Sequence, residues 1–146
     1  MDVVRKNEFI LNLVMLANKL QSLGNAFFKN YGLTSAQYNV LVLLRANPQG
    51  LTQVEISKNL VVSRANITSL LDKLESEGLA VRMRSEDRRS YKVVLTQKGK
   101  DLIQRIEGEY YRRVDEIFPD RLARGMSDCR KRISEWLAFL NQGGRL

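Results

Sequence analysis

The apolar period of this chain switches from helical to alternating at Gly78, and that switch limits what the chain can fold into. Before it, Thr52-Gln53-Val54-Glu55 forms a capping box, in which the Thr hydroxyl and Glu carboxylate satisfy each other's free amides at a helix start. Val54, Ile56 and Leu60 give this short helix of about two turns a face to bury. Ser63 then suits the N-cap of a second helix with Ile67, Leu70, Leu71 and Leu74 on one side, and Gly78 allows a left-handed stop. Past Gly78 the spacing becomes two: Leu79, Val81 and Met83 point one way, Ala80, Arg82 and Arg84 the other. Tyr91, Val93 and Leu95 resume the alternation beyond Ser85-Glu86-Asp87-Arg88-Arg89-Ser90, so the two runs read as a β-hairpin with a basic tip.

The flanks are helical. Phe9, Ile10, Leu13, Val14, Ala17, Leu20 and Leu23 recur at three and four within residues 7–30, and Met15 and Leu16 widen that stripe beyond what one neighbour needs. A second helix, about 35–46, opens on the capping box Thr34-Ser35-Ala36-Gln37 and ends at Asn47-Pro48-Gln49-Gly50. Thr96 caps a long helix carrying Leu102, Ile103, Ile106, Tyr110, Val114 and Ile117, with Gly108 a weak point and Pro119 its end. A last helix, about 122–141, aligns Ile133, Trp136, Leu137 and Leu140. The predicted class is mainly α with a small β-hairpin wing, divided as an N-terminal helix (1–33), a central domain (34–96) and C-terminal helices (97–146).

Composition removes whole classes of chemistry. With no His, a Ser-His-Asp triad and a Zn-His site are impossible, and one Cys excludes an intrachain disulfide or Cys-rich metal site. There is no Gly-rich phosphate loop or motif pairing carboxylates, so no enzyme and no cofactor are expected. The longest aliphatic run, Val40 to Leu44, is far below the roughly 18 residues of a spanning helix, and the start does not resemble a signal peptide. A reducing, cytoplasmic setting is expected. The formal net charge of +8 points toward a polyanion, and the excess peaks between Arg82 and Lys92.

A capped helix, a tight turn, a second helix opening on small polar residues and then a basic hairpin is the order of a winged helix-turn-helix. Its second helix must present short polar side chains to a major groove about 12 Å wide while its other face stays in a core. Ser63, Arg64, Ala65, Asn66, Thr68 and Ser69 meet that requirement. Asn and Arg can bond adenine or guanine edges bidentately, and Ser and Thr suit phosphates or either base type. Thr52, Lys73, Arg82 and Arg84 are candidate contacts to the DNA backbone. At the hairpin tip Arg88 and Arg89 can reach a minor groove, with Asp87 pinning a guanidinium or capping the turn. Taken singly, each set also fits a solvated helix or a charged turn; their order along the chain favours DNA.

The run from Leu51 through Leu-Asp-Lys-Leu-Glu-Ser-Glu-Gly-Leu and Glu-Asp-Arg-Arg-Ser to Leu-Thr-Gln-Lys-Gly-Lys-Asp-Leu resembles the MarR family of transcriptional regulators. Asp87 and Arg89, followed by a hydrophobic strand and Leu95, Thr96 and Gly99, match the family's wing signature. The resemblance implies that the helix from Ser63 reads the major groove, that Arg89 enters the minor groove, and that N- and C-terminal helices build an obligate homodimer. A two-fold dimer implies a pseudopalindromic operator with half-sites about one helical turn apart. The expected function is a homodimeric sequence-specific regulator, a repressor. Alternatives are an architectural DNA binder without sequence preference and a winged-helix protein-interaction module. Val61 departs from the Gly often found in the family's turn.

Relief by a small phenolic or aromatic acid is a further expectation from the family, with Met15, Phe27, Phe28, Tyr31 and Tyr38 as lining and Arg45 or Lys19 for a carboxylate. Against it, aromatics at helical spacing are more often core or dimer interface. Cys129, beside Arg130, Lys131 and Arg132, has a setting that favours thiolate, yet its alignment with Ile133 and Leu140 predicts burial and inertness.

Overall fold

The computed structural model describes residues 2–60, 64–84, 91–118 and 120–143, and the backbone alone for Arg64, Ala65, Arg121 and Ala123. Two compact units divide it, residues 1–106 and 107–146.

In the first unit, α1 (Val3–Lys29) starts four residues before the sequence pattern suggests, because Asp2 caps it by accepting from Arg5 N at 2.8 Å. Helix α2 (Ser35–Arg45) carries the expected capping box: Thr34 Oγ1 accepts from Gln37 N at 3.2 Å, and Thr34 N donates to Gln37 Oε1 at 2.8 Å. Strand β1 (Leu51–Thr52), absent from the sequence reading, precedes α3 (Gln53–Asn59), whose box pairs Thr52 with Glu55. Helix α4 (Arg64–Ser76) ends at Gly78, φ +70°, and leads to β2 (Ala80–Arg84), β3 (Tyr91–Leu95) and α5 (Gln97–Ile117).

The sheet is antiparallel in the order β1-β3-β2, with Ala80 opposite Leu95, Arg82 opposite Val93 and Leu51 also opposite Val93. Directly opposed residues share a face, so Ala80, Arg82, Val93 and Leu95 lie together. Ala80 and Val93 are buried, whereas Val81 and Met83 on the reverse face are exposed. The core face of the hairpin is therefore the one carrying Arg82.

One hydrophobic core joins these pieces: Phe28, Leu33, Tyr38, Leu41, Leu44, Ile56, Ile67, Leu71, Leu74, Leu79, Val93, Ile103 and Ile106 are all buried. Gly99, in the first turn of α5, sits where a Cβ would strike the Leu79 carbonyl and Leu95 Cδ1. Thr96 Oγ1 donates to the carbonyls of Gly78 and Leu79 and accepts from Gly99 N, locking the start of α5 to the start of β2. Helix α5 runs through Gly108 without interruption. Its far end begins the second unit, which continues with α6 (Asp120–Ala123) and α7 (Met126–Asn141). On α7, Leu137 and Leu140 are 49% and 43% exposed. Cys129 is exposed too, correcting the expectation of burial: it shares the apolar face of α7, but its own unit leaves that face uncovered. Among the described residues no helix is long and apolar enough to cross a membrane.

Candidate nucleic-acid interface

Helix α4 is amphipathic by its own spacing. Ile67, Leu71 and Leu74 enter the core, leaving Asn66, Thr68, Ser69, Asp72, Lys73 and Ser76 exposed on the opposite side. That polar side has two edges.

One edge is braced. Gln53 Nε2 of α3 donates to Thr68 Oγ1 at 2.6 Å, tying the two helices together. Further along the same edge, Arg82 of β2 donates to Asp72 Oδ1 at 2.6 Å and to Glu75 Oε2 at 2.5 Å, and its backbone N donates to Glu75 Oε1 at 3.0 Å. The backbone hydrogen bond and guanidinium hold the Glu75 carboxyl below its ordinary pKa, and hydrogen bonding to Asp72 raises that of Arg82. Arg82 was expected at the DNA backbone; in the structure it lies on the core-facing side of the strand with its guanidinium turned to α4.

The other edge is open. Asn66, Ser69 and Lys73, spaced at three and four, line a groove of about 320 Å³ with Leu70 and, across it, Thr34 and Gln37 of α2. Lys73 Nζ meets Glu77 Oε1 at 3.1 Å with most of its side chain exposed. Neither Thr34 nor Gln37 appears among the expected contacts; their capping box is legible in sequence, but its position beside α4 is not.

Of the other expected contacts, Thr52 is occupied at the start of α3, with Glu55 held below its ordinary pKa by the Thr52 backbone and hydroxyl. Arg84 is exposed at the end of β2. Ser63, Val61, Asp87, Arg88 and Arg89 lie outside the described residues, as do the side chains of Arg64 and Ala65.

The aromatic cluster forms in part. Phe28 stacks on Tyr38 with centroids 4.2 Å apart, and Phe27 lies 5.1 Å from Phe28 and 5.5 Å from Tyr31. Phe28 and Tyr38 are buried core residues, which favours the packing reading over the ligand reading. Met15, three turns earlier on α1, is 69% exposed, and Arg45 is exposed at the end of α2. Among the described residues no group of His, Cys, Asp and Glu could hold a metal ion.

A sequence profile of the MarR family matches residues 31–90, from the end of α1 to the start of β3. An uncharacterised HTH-type transcriptional regulator of Bacillus cereus is 33% identical over 112 residues, covering 77% of this chain and 74% of the relative. The chain belongs to the MarR family. Solved structures agree along most of its length. The transcriptional repressor CouR, bound to a 23-mer DNA duplex, is 34% identical with a TM-score of 0.71, covering 89% of both chains. The Staphylococcus aureus MepR–DNA complex has a TM-score of 0.75 at 20% identity, covering 88% of this chain and 93% of that one. As a MarR-family protein the chain is a DNA-binding transcriptional regulator with a winged helix-turn-helix, in which α3 and α4 are the paired helices and β2 and β3 the wing strands.

Proposed function

We propose that this MarR-family regulator acts as a homodimeric repressor that binds a pseudopalindromic operator, with α4 in the major groove. The observation that carries the reading is the construction of α4: one face is buried, one edge is braced by Gln53 and Arg82, and Asn66 and Ser69 remain exposed. A reading helix needs this combination, because a rigid mount reduces the cost of ordering donors against base edges. CouR, a repressor by its description and bound to duplex DNA, supports both the partner and the sign of regulation.

Within this proposal Asn66 and Ser69, with Ser63, Arg64, Ala65 and Thr68 beside them, face base edges. Lys73 and Arg84 face phosphates, and Asp87, Arg88 and Arg89 form the wing contact to the minor groove. Dimerisation is supported by apolar surface that one chain leaves uncovered: Leu16, Leu20 and Leu23 on α1 are 55%, 45% and 41% exposed. The aromatic cluster is not part of the proposal as a ligand site, since Phe28 and Tyr38 complete the core.

The test is selection of bound sequences from a random duplex pool at moderate and high salt, with the mass of the protein measured alongside. Enrichment of an inverted repeat by a dimer is the expected result. Binding without enrichment would make the protein an architectural DNA binder, and no binding at low salt would favour a protein-interaction module.

A further inference from the structure

The groove between α2 and α4 is lined by Thr34, Gln37, Asn66, Ser69, Leu70 and Lys73, none of them acidic. Gln37 is the most informative of these. It is only 7% exposed, the one buried polar residue among the described residues, yet it borders the groove. Its amide orientation is fixed by chemistry: Thr34 N–H is a donor, so the atom 2.8 Å from it must be the acceptor oxygen. The amide nitrogen is thus the end Gln37 offers to the groove, and it has no acceptor among the described residues. That nitrogen is not among the buried atoms left without a partner, so it is open to solvent in the groove and free to donate to an incoming acceptor.

Two further donors stand opposite. Ser69 and Lys73 lie one turn apart on α4, and the Lys73–Glu77 pair is a surface pair that a better anion can displace. An amide N–H and an ammonium flanking a groove with no acidic residue among its described lining select an anion with several acceptor oxygens. The site is open along its length and not enclosed, so it suits a group joined to a chain on both sides better than a small free molecule, which needs burial on most of its surface.

We propose that this groove seats one phosphate of the DNA backbone between Gln37 Nε2 and Lys73 Nζ, fixing the register in which Asn66 and Ser69 meet base edges. This rests on the reading of α4 as the major-groove helix. It adds α2 to the interface, so that the DNA strand is held by a helix outside the helix-turn-helix pair.

Two variants of the full chain test it. Gln37→Glu keeps an acceptor oxygen for Thr34 N–H, and so the capping box, while replacing the amide donor with a second carboxylate oxygen. Lys73→Gln removes an exposed charge and spares the core, so it remains informative if the first variant folds poorly. Thermal midpoints establish folding, and affinity is measured on the enriched duplex and on a random-sequence duplex across a salt series.

Each variant is expected to weaken binding roughly tenfold, by the same factor on both duplexes, with base preference unchanged. Lys73→Gln should also reduce the salt slope by about 0.9, the release expected for one phosphate. A single neutral methylphosphonate linkage, moved along the duplex, should weaken the wild type at one position per half-site and leave Lys73→Gln indifferent there. Wild-type affinity in folded Gln37→Glu and in Lys73→Gln would overturn the phosphate seat while leaving the regulator reading intact, and so would a loss confined to the enriched sequence. Failure of the wild type to bind any duplex at low salt would overturn both.

Discussion

Arg82 and Glu75 meet twice, once through the guanidinium at 2.5 Å and once through the Arg82 backbone N at 3.0 Å, so α4 and β2 are fixed in position and in direction. A side-chain pair alone would hold two points together. Adding the backbone contact aligns the strand with the helix, as the proposed engagement of two grooves of one duplex by α4 and the wing requires.

Replacing Arg82 with Met should therefore lower stability rather than DNA charge contact. Both partners are partly exposed, so the expected loss is about 1–2 kcal/mol, below the cost of breaking a fully buried pair. Urea unfolding measures it. The salt slope of DNA binding should stay at the wild-type value; a decrease of about 0.9 would return Arg82 to the list of phosphate contacts.

The same pair sets a pH dependence. Glu75 is held below its ordinary pKa of 4.5, chiefly by the Arg82 backbone N–H. A depressed folded-state pKa gives stability that is fully present above the unfolded value and disappears as pH falls through the folded one. The gap in thermal midpoint between wild type and Glu75→Gln should be open at about pH 7 and narrow progressively below about pH 4.5. A gap that stays constant into the acid range would show that the Glu75 charge adds nothing to the hydrogen bonds.

Much of this architecture is legible in the sequence because it is local. The capping boxes at Thr34 and Thr52 concern residues three apart, and the Gly78 stop concerns one backbone angle. Two other features are decided by distant partners. Leu51 and Thr52 become a strand only because β3 offers Val93 and Lys92 as partners. Similarly, period two separates Val81 and Met83 from Ala80 and Arg82 but does not say which set faces inward. Pairing with Val93 and the carboxylates of α4 decides that, and they draw an arginine to the inner face. The groove beside Gln37 was hidden for the same reason: its two walls are about 30 residues apart in the chain. Cys129 shows the converse error, where helical alignment was right and burial was not, since alignment says nothing about whether a partner covers the face.

Gly99 tests the seam between α5 and the sheet. A methyl group there would meet the Leu79 carbonyl, which Thr96 also engages from its backbone N and hydroxyl, so the carbonyl is poorly placed to move aside. Gly99→Ala should destabilise the protein by about 1–3 kcal/mol, the range of an overpacked core, despite the better helix propensity of Ala. Gly108→Ala is the control, because nothing lies within 4 Å of its added methyl. It should stabilise by several tenths of a kcal/mol up to about 1. Both are read by urea unfolding, and equal effects at the two sites would mean that the close approach at Leu79 relaxes freely.

The proposed dimer depends on apolar surface at α1. Leu16 and Leu20 lie one turn apart on the same side, and neither is covered within the chain. Water contact on such a stripe is unfavourable by about 25 cal/mol per Å², so a second copy gains by covering it, and a charge placed there removes that gain and adds a desolvation cost. Leu16→Glu combined with Leu20→Glu should shift the sedimenting mass from twice the chain mass to the 16.8 kDa of a single chain. The first unit keeps its core, since neither residue is buried in it, and far-ultraviolet circular dichroism should show helix retained. Operator affinity should fall far more than affinity for a single half-site, because only the dimer holds two reading helices at once. A wild type that already sediments as a single chain would remove the dimer, and a variant that remains dimeric would move the interface away from this stripe.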